Sequence, residues 1–298
     1  MTSDEQWLAG RFEEHRGRLR AIAYRMLGSL TEADDAVQEA WLRASKAGAG
    51  DVGNVGGWLT TIVARVALNM LRARKSRREE GLGLHLPDPV IAPEGAGQPE
   101  EEALLADSVG LALLVVLDSL SPTERLAFVL HDVFGLAFDE IAPLVDRTPT
   151  AARQLASRAR RRVRGADVPT AERDHKRQRE VVDAFFSATR SGDFQALLEL
   201  LDPDVVLRAD FGPRHPDRST VLRGAKAVIE SAFTGAALPG ATVIPARVNG
   251  AAGVVITIGG KPFAVLAFTV ANGKVIEIDG IADPPRVRRL AASVLLAL

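Results

Sequence analysis

Apolar residues recur at helical spacing through residues 5 to 78, with no alternating strand pattern between them. In TEADDAVQEAWLRA, Ala33, Ala36, Val37, Ala40 and Trp41 share one face, while Glu32, Asp35, Gln38 and Glu39 lie on the other. Thr31 is the expected N-cap, with Asp34 as a box-like acid three residues on. After the loop KAGAGDVGNVGG, a second helix has apolar positions 59, 62, 63, 66 and 70 and ends on Arg72, Arg74, Lys75, Arg77 and Arg78. Residues 79 to 98, rich in glycine, proline and acid, read as a linker. Helical periodicity resumes near Glu101 and continues to about Arg164. Within it SPTERLAFVLHDVFG opens on a serine cap and a first-turn proline. A short helix, a turn at Asp146-Arg147-Thr148 and a helix opened by Pro149 then form a helix-turn-helix pattern.

Beyond Gly165 the pattern predicts two helices (DHKRQREVVDAFFSATRSGD and FQALLELL), the strand DVVLRAD and the helix GAKAVIESAF. Four strands follow: ATVIPARV, AGVVITI, PFAVLAFTV and KVIEIDGI. Asn272-Gly273 marks a hairpin, and residues 284 to 298 close the chain as a helix. Helices followed by a strand meander define an α+β domain.

Charge changes this picture more than composition does. The 298 residues are 47% hydrophobic and 25% charged, carry a net charge of -1 and include no cysteine, so disulfides and thiolate metal sites are excluded. The acidic amino-terminal residues do not resemble a secretory signal, and the longest apolar runs, Leu111 to Leu117 and Ala291 to Leu298, are too short to span a bilayer. A cytoplasmic protein with no membrane contact is expected. The near-neutral total hides segregation: no lysine or arginine occurs between Arg78 and Arg125, whereas basic clusters flank that stretch at 65 to 78 and 153 to 164.

The second cluster, AARQLASRARRRVR, divides by face. Ala152, Leu155, Ala156, Ala159 and Val163 form an apolar stripe, and Arg153, Gln154, Ser157, Arg158, Arg161 and Arg162 occupy the rest. A recognition helix needs this division, since arginine reads guanine and glutamine reads adenine in the major groove. A solvated basic face is the plainer alternative; the helix and turn before it favour DNA. The first cluster follows a helix carrying Trp58, Thr60, Thr61 and Asn69, a mixture suited to a nucleic-acid groove, although a helix C-terminus also favours cations.

Taken in order, DDAVQEAWLRA, GGWLTTIVARVALNMLRARKSR, LSPTERLAFVLHDVFG and FDEIAPLVDRTPTAARQLASRARRRV resemble a bacterial extracytoplasmic-function (ECF) RNA polymerase sigma factor over residues 5 to 165. The tail, 175 to 298, resembles a SnoaL-like domain, which one subgroup of these factors carries. The resemblance implies a multidomain chain. Two all-α sigma domains, a region 2 helical bundle (1–80) and a region 4 helix-turn-helix (106–166), precede an α+β SnoaL-like cone-shaped domain, with an acidic linker at 81–105 that would follow the polymerase's RNA path.

It also implies partners: core RNA polymerase and the -10 and -35 promoter elements. Carried over by position, Asp35, Gln38 and Glu39 face the polymerase. Asn54, Trp58, Arg65, Asn69, Arg72, Arg74 and Arg77 are candidates for the -10 element, and Thr150, Arg153, Gln154, Ser157, Arg158, Arg161 and Arg162 for the -35 element. Three short motifs of the subgroup correspond to HLPDP (His85, Leu86, Pro87, Asp88, Pro89), DFGPR (Asp210 to Arg214) and DPPRV (Asp283 to Val287, with Arg286), each departing in several letters.

An enzymatic tail is the rival expectation. Isomerases of this fold use an aspartate base and a tyrosine oxyanion hole. The single tyrosine, Tyr24, lies in the first domain, leaving Asp210, His215, Asp217 and Asp279 as the tail's polar groups. No catalytic, metal or cofactor site is expected. A small-ligand sensor pocket and a protein-contacting regulatory domain both remain open, and the free chain is expected to be a monomer. A one-component DNA-binding regulator is the alternative for the whole chain; it has no use for the acidic helix and the second nucleic-acid-facing helix.

Overall fold

Alanine sets how closely the first helices approach. In the computed structural model, α1 (Ser3–Leu27), α2 (Leu30–Ala47) and α3 (Val55–Arg78) form a bundle. Ala33, Ala36, Val37, Ala40 and Ala44 of α2 are buried in it, and small side chains there bring the axes close. The structure describes residues 3–50, 52–78, 84–95, 111–165, 172, 174–236 and 238–296. Gly28, at φ 72°, ends α1, and Ser29 rather than Thr31 caps α2, its hydroxyl accepting from the Glu32 N–H at 3.4 Å. The glycine stop places the extended cap position two residues earlier than the sequence pattern suggests. Trp41, half-buried, packs its ring 5.0 Å from that of Phe12.

These helices belong to one compact unit, Met1–Gly81 with Leu113–Asp167. Its second part contains α4 (Leu111–Asp118) from Leu113 onward, α5 (Pro122–Phe128), α6 (Phe138–Ile141) and α7 (Pro149–Gly165). Ser121 and Glu124 close a capping box at α5, with Pro122 in the first turn. A π-turn over Val129–Val133 extends α5, and a 3-10 turn over Ala142–Leu144 extends α6. Asp146 takes the left-handed conformation, φ 53°, and turns the chain into α7, with Ala152, Leu155, Ala156 and Ala159 buried. The two segments read from sequence as separate helical domains thus share a unit. The Arg125 guanidinium joins them, donating to the Arg25 carbonyl at 3.0 Å and to Asp118 at 3.1 Å.

The second unit comprises Leu82–Ala112 and Val168–Leu298. Its seven-stranded sheet has the order β1-β4-β5-β6-β7-β2-β3. The strands are β1 (Ile91–Pro93), β2 (Leu201–Asp210), β3 (Thr220–Arg223), β4 (Ala241–Val248), β5 (Ala251–Ile258), β6 (Lys261–Ala271) and β7 (Lys274–Ile281). Neighbours are antiparallel except β2 and β7, which run parallel. Asn272 and Gly273, both at positive φ, make the expected hairpin between β6 and β7.

Three helices, α8 (His175–Ser191), α9 (Phe194–Leu200) and α10 (Ala225–Ala236), bury a core of Val182, Phe185, Leu197, Val228 and Ile229 against Val254, Phe268, Val270 and Ile278 of the sheet. The predicted terminal helix is two short ones, α11 (Pro284–Leu290) and α12 (Ala292–Leu295).

The linker expectation for 81–105 is corrected over its described part. Residues 86 to 92 are buried, and β1 pairs Ile91 with Val248 at the edge of the sheet. Exposed backbone donors and acceptors on β4 outweigh the local glycine-proline composition. Residues 96–105, and the start expected for the next helix, lie outside the described residues.

Candidate nucleic-acid interface and linker clamp

The apolar stripe of α7 faces its own unit and turns the basic face outward. Thr150, Arg153, Gln154, Arg158, Arg161 and Arg162 are exposed, and Ser157 is half-buried. The Arg153 guanidinium lies over the Phe138 ring, 5.3 Å from its centroid, a cation-π contact that orients it. Arg158 and Arg162 both reach the buried Glu124 carboxylate, at 3.5 and 2.8 Å. Burial would raise that carboxyl's pKa; hydrogen bonds from Ser121 and the two arginine charges bring it below the ordinary value instead. Arg160, absent from the predicted set, pairs with Asp132 at 2.6 Å.

The candidates on α3 separate into two groups. Arg65, Asn69 and Arg72 are exposed and follow one another at helical spacing, with the half-buried Trp58 on the same stripe two turns earlier. Asn54 instead caps the helix, accepting from the Gly57 N–H at 2.9 Å. Arg74 turns inward to Glu32 at 3.0 Å and to the Leu27 carbonyl at 2.9 Å, so the structure does not bring it to the open face. The side chain of Arg77 lies outside the described residues. Two glycines permit this corner: a Cβ on Gly56 would meet the His15 ring at 2.9 Å, and one on Gly57 the Asn54 amide at 2.8 Å.

On α2, Asp35 and Gln38 are exposed and Glu39 pairs with Arg43 at 2.8 Å. Leu42 extends this face with 47% of its surface exposed, a residue the acidic pattern did not single out.

In the second unit a buried arginine gathers the linker. Arg286 donates from Nε to Asp88 at 2.5 Å, from Nη1 to Asp210 at 2.8 Å, and from Nη2 to the Leu86 carbonyl. Asp210 also accepts from the Leu86 N–H at 2.9 Å and the Gly212 N–H at 2.8 Å, with His85 Nδ1 at 3.5 Å. Burial opposes ionisation of Asp210, yet the His85, Leu86 and Gly212 hydrogen bonds and the Arg286 charge hold its carboxyl far below the usual carboxylate range.

Gly212 sits at φ 76° against Asp283, whose carboxylate a Cβ there would meet at 2.5 Å. His85, Leu86, Asp88, Asp210 and Arg286 therefore converge, while Pro87 and Pro89 are buried beside them and Arg214 stays exposed in its loop, outside the cluster. Asn249 and Ser293 were missed. Asn249 accepts from the Val90 N–H at 2.7 Å, and Ser293 donates to the Ile91 carbonyl at 3.0 Å.

The polar groups weighed for catalysis are scattered or paired. His215 and Asp217 are exposed, and Asp279 is bound to Arg208 at 2.9 Å. Between helices and sheet, the rings of Phe185, Phe186 and Phe268 pack edge to face. An open groove of about 570 Å³ lies instead at the rim, beside Leu198, Pro203, Arg223 and Lys226. Among the described residues, no cluster of histidine and acid suits a metal ion, and no helix is long and apolar enough to cross a membrane.

A helix-turn-helix with a basic outer face, a three-helix bundle with a second basic stripe and an α+β tail define the class, and sequence relatives agree. Residues 11–77 match the Sigma-70 region 2 family and residues 110–163 match Sigma-70 region 4. The ECF RNA polymerase sigma factor SigJ of Mycobacterium tuberculosis is 36% identical over 92% of this chain and 91% of its own length. The probable ECF RNA polymerase sigma factor SigI of the same organism is 32% identical over 94% of each chain. The crystal structure of SigJ superposes with a TM-score of 0.74 at 32% identity, covering 93% of this chain and 97% of that one.

The chain belongs to the ECF RNA polymerase sigma factor family. A one-component regulator is not favoured.

Proposed function

We propose that this chain binds core RNA polymerase and directs initiation at its own set of promoters, and that the tail modulates this by holding the linker. Residues 1–80 act at the polymerase and the -10 element, 106–166 at the -35 element, and 175–298 as the regulatory domain. The outward basic face of α7 carries the DNA reading: its apolar stripe is buried and Thr150, Arg153, Gln154 and Arg161 project from a rigid helix. Arg65, Asn69 and Arg72 are the α3 residues for the -10 element, and Asp35, Gln38, Glu39 and Leu42 the polymerase-facing edge of α2. The chain works as a binding protein, in the cytoplasm where polymerase and chromosome meet. The relatives named sigma factors support this reading.

The linker sharpens the tail's role. Residues 84–95 cannot thread a nucleic-acid channel while Ile91–Pro93 is a strand of the tail's sheet. Docked linker and engaged linker are alternatives, and Arg286 biases the choice.

The test is initiation in vitro with purified bacterial core polymerase, on promoters recovered by sequencing DNA retained by the holoenzyme. Arg153→Ala should lose about 1–3 kcal/mol of discrimination at a -35 base pair. Arg286→Ala should change the level of initiation while keeping the promoter choice. If the full chain binds duplex DNA but never core polymerase, the proposal fails.

A further inference from the structure

Glu124 stands apart among the acids of the helical unit. Its side chain is 8% exposed, yet the two arginines that reach it are open to solvent, Arg158 by 52% and Arg162 by 55%. A surface ion pair leaves both partners wet. Here a buried anion underlies two exposed cations four residues apart on α7. Both of its oxygens are engaged: Oε1 faces Arg158 Nε, and Oε2 takes Arg162 Nη1 and the Ser121 hydroxyl and N–H, the last two at 2.7 and 3.1 Å. The carboxylate is set by its own capping box on α5, so the arginines of α7 are held from a second helix. Among the described residues, the terminal nitrogens of Arg158 and the Nη2 and Nε of Arg162 meet no hydrogen-bond partner.

We infer that Glu124 is a positioning residue for promoter reading, holding Arg158 and Arg162 as a pre-ordered pair that grips backbone phosphates beside the bases read by the first two turns of α7. This rests on the proposed reading of α7 as the -35 helix. Recognition helices contact base edges with their N-terminal residues, and phosphate contacts set their register. Thr150, Arg153, Gln154 and Ser157 occupy those first turns; Arg158 and Arg162 come after them. Glu124 has a second effect. It cancels one of the two positive charges, so the pair attracts arbitrary duplex less strongly than two free arginines and still presents fixed donors where the register is right.

The experiment measures binding of the holoenzyme to a promoter duplex and to a scrambled duplex of equal length, across a salt series. Glu124→Gln can preserve the capping box. It should tighten binding to the scrambled duplex, steepen the salt dependence by about 0.9 in log K against log salt, and lower the promoter-to-scrambled ratio about tenfold. Glu124→Asp keeps the charge but is a methylene short of both arginines, and should lower the ratio without steepening the slope. Neither change should matter in an Arg158→Ala, Arg162→Ala background.

Unchanged ratio and slope in both Glu124 variants, with the ratio still sensitive to Arg153→Ala, would overturn the inference and leave the reading of α7 intact. A wild-type ratio near one would remove both.

Discussion

Arg286 shows what a single side chain can organise. Three of its nitrogens serve three different acceptors, which the planar fork of arginine allows and the point charge of lysine does not. Asp88 and Asp210 are buried with it, and Arg289 also reaches Asp88 at 3.4 Å, so two guanidinium groups face two carboxylates and removing Arg286 leaves buried negative charge undercompensated. Asp210 carries the pH dependence. Its carboxyl is held below the unfolded value, so its contribution is complete above about pH 4 and is lost as pH falls further. Wild-type protein should therefore melt above Asp210→Asn at neutral pH, and the gap should narrow in scans run at or below about pH 4. These residues were legible in the sequence only through their motifs. Convergence of positions 88, 210 and 286 is a long-range fact, and Asn249 and Ser293 bond to backbone, which has no sequence signature.

Among the elements, helices and long strands were readable because their burial is periodic. Strand β1 was not. Three residues ending in proline have no alternation to detect, and they become a strand only because β4 offers an edge. Asn249 secures that edge from φ 49°, bonding Val90 through both its side chain and its backbone N–H. Asn249→Ala should cost the tail about 1–3 kcal/mol. Amide exchange should show β1 opening first, with the amides of 90 to 92 losing protection before those of β5 and β6. The inward turn of Arg74 was hidden for a related reason. A cationic helix end looks alike whether its partner is a phosphate or the Glu32 of a neighbouring helix.

For the whole molecule, the two units interleave along the chain. Each is built from two separated pieces. A chain ending at Asp167 keeps both pieces of the helical unit and strips 84–95 of β4 and of Asp210, Asn249, Arg286 and Ser293. Such a protein should retain a cooperative helical melt, while limited proteolysis cuts within 84–95, which full-length protein shields. The contrast between these two digests measures linker docking directly.

The interleaving also sets an order in time. Ile91 emerges from the ribosome roughly 150 residues before its partner Val248, an interval of roughly 8 to 30 seconds at ordinary elongation rates. Throughout that interval both pieces of the helical unit come to be made while Arg286, Asn249 and the β4 edge do not yet exist. Each newly made molecule thus passes through a period with its helical pieces complete and its linker unclaimed, and any effect of the docked linker begins only afterwards.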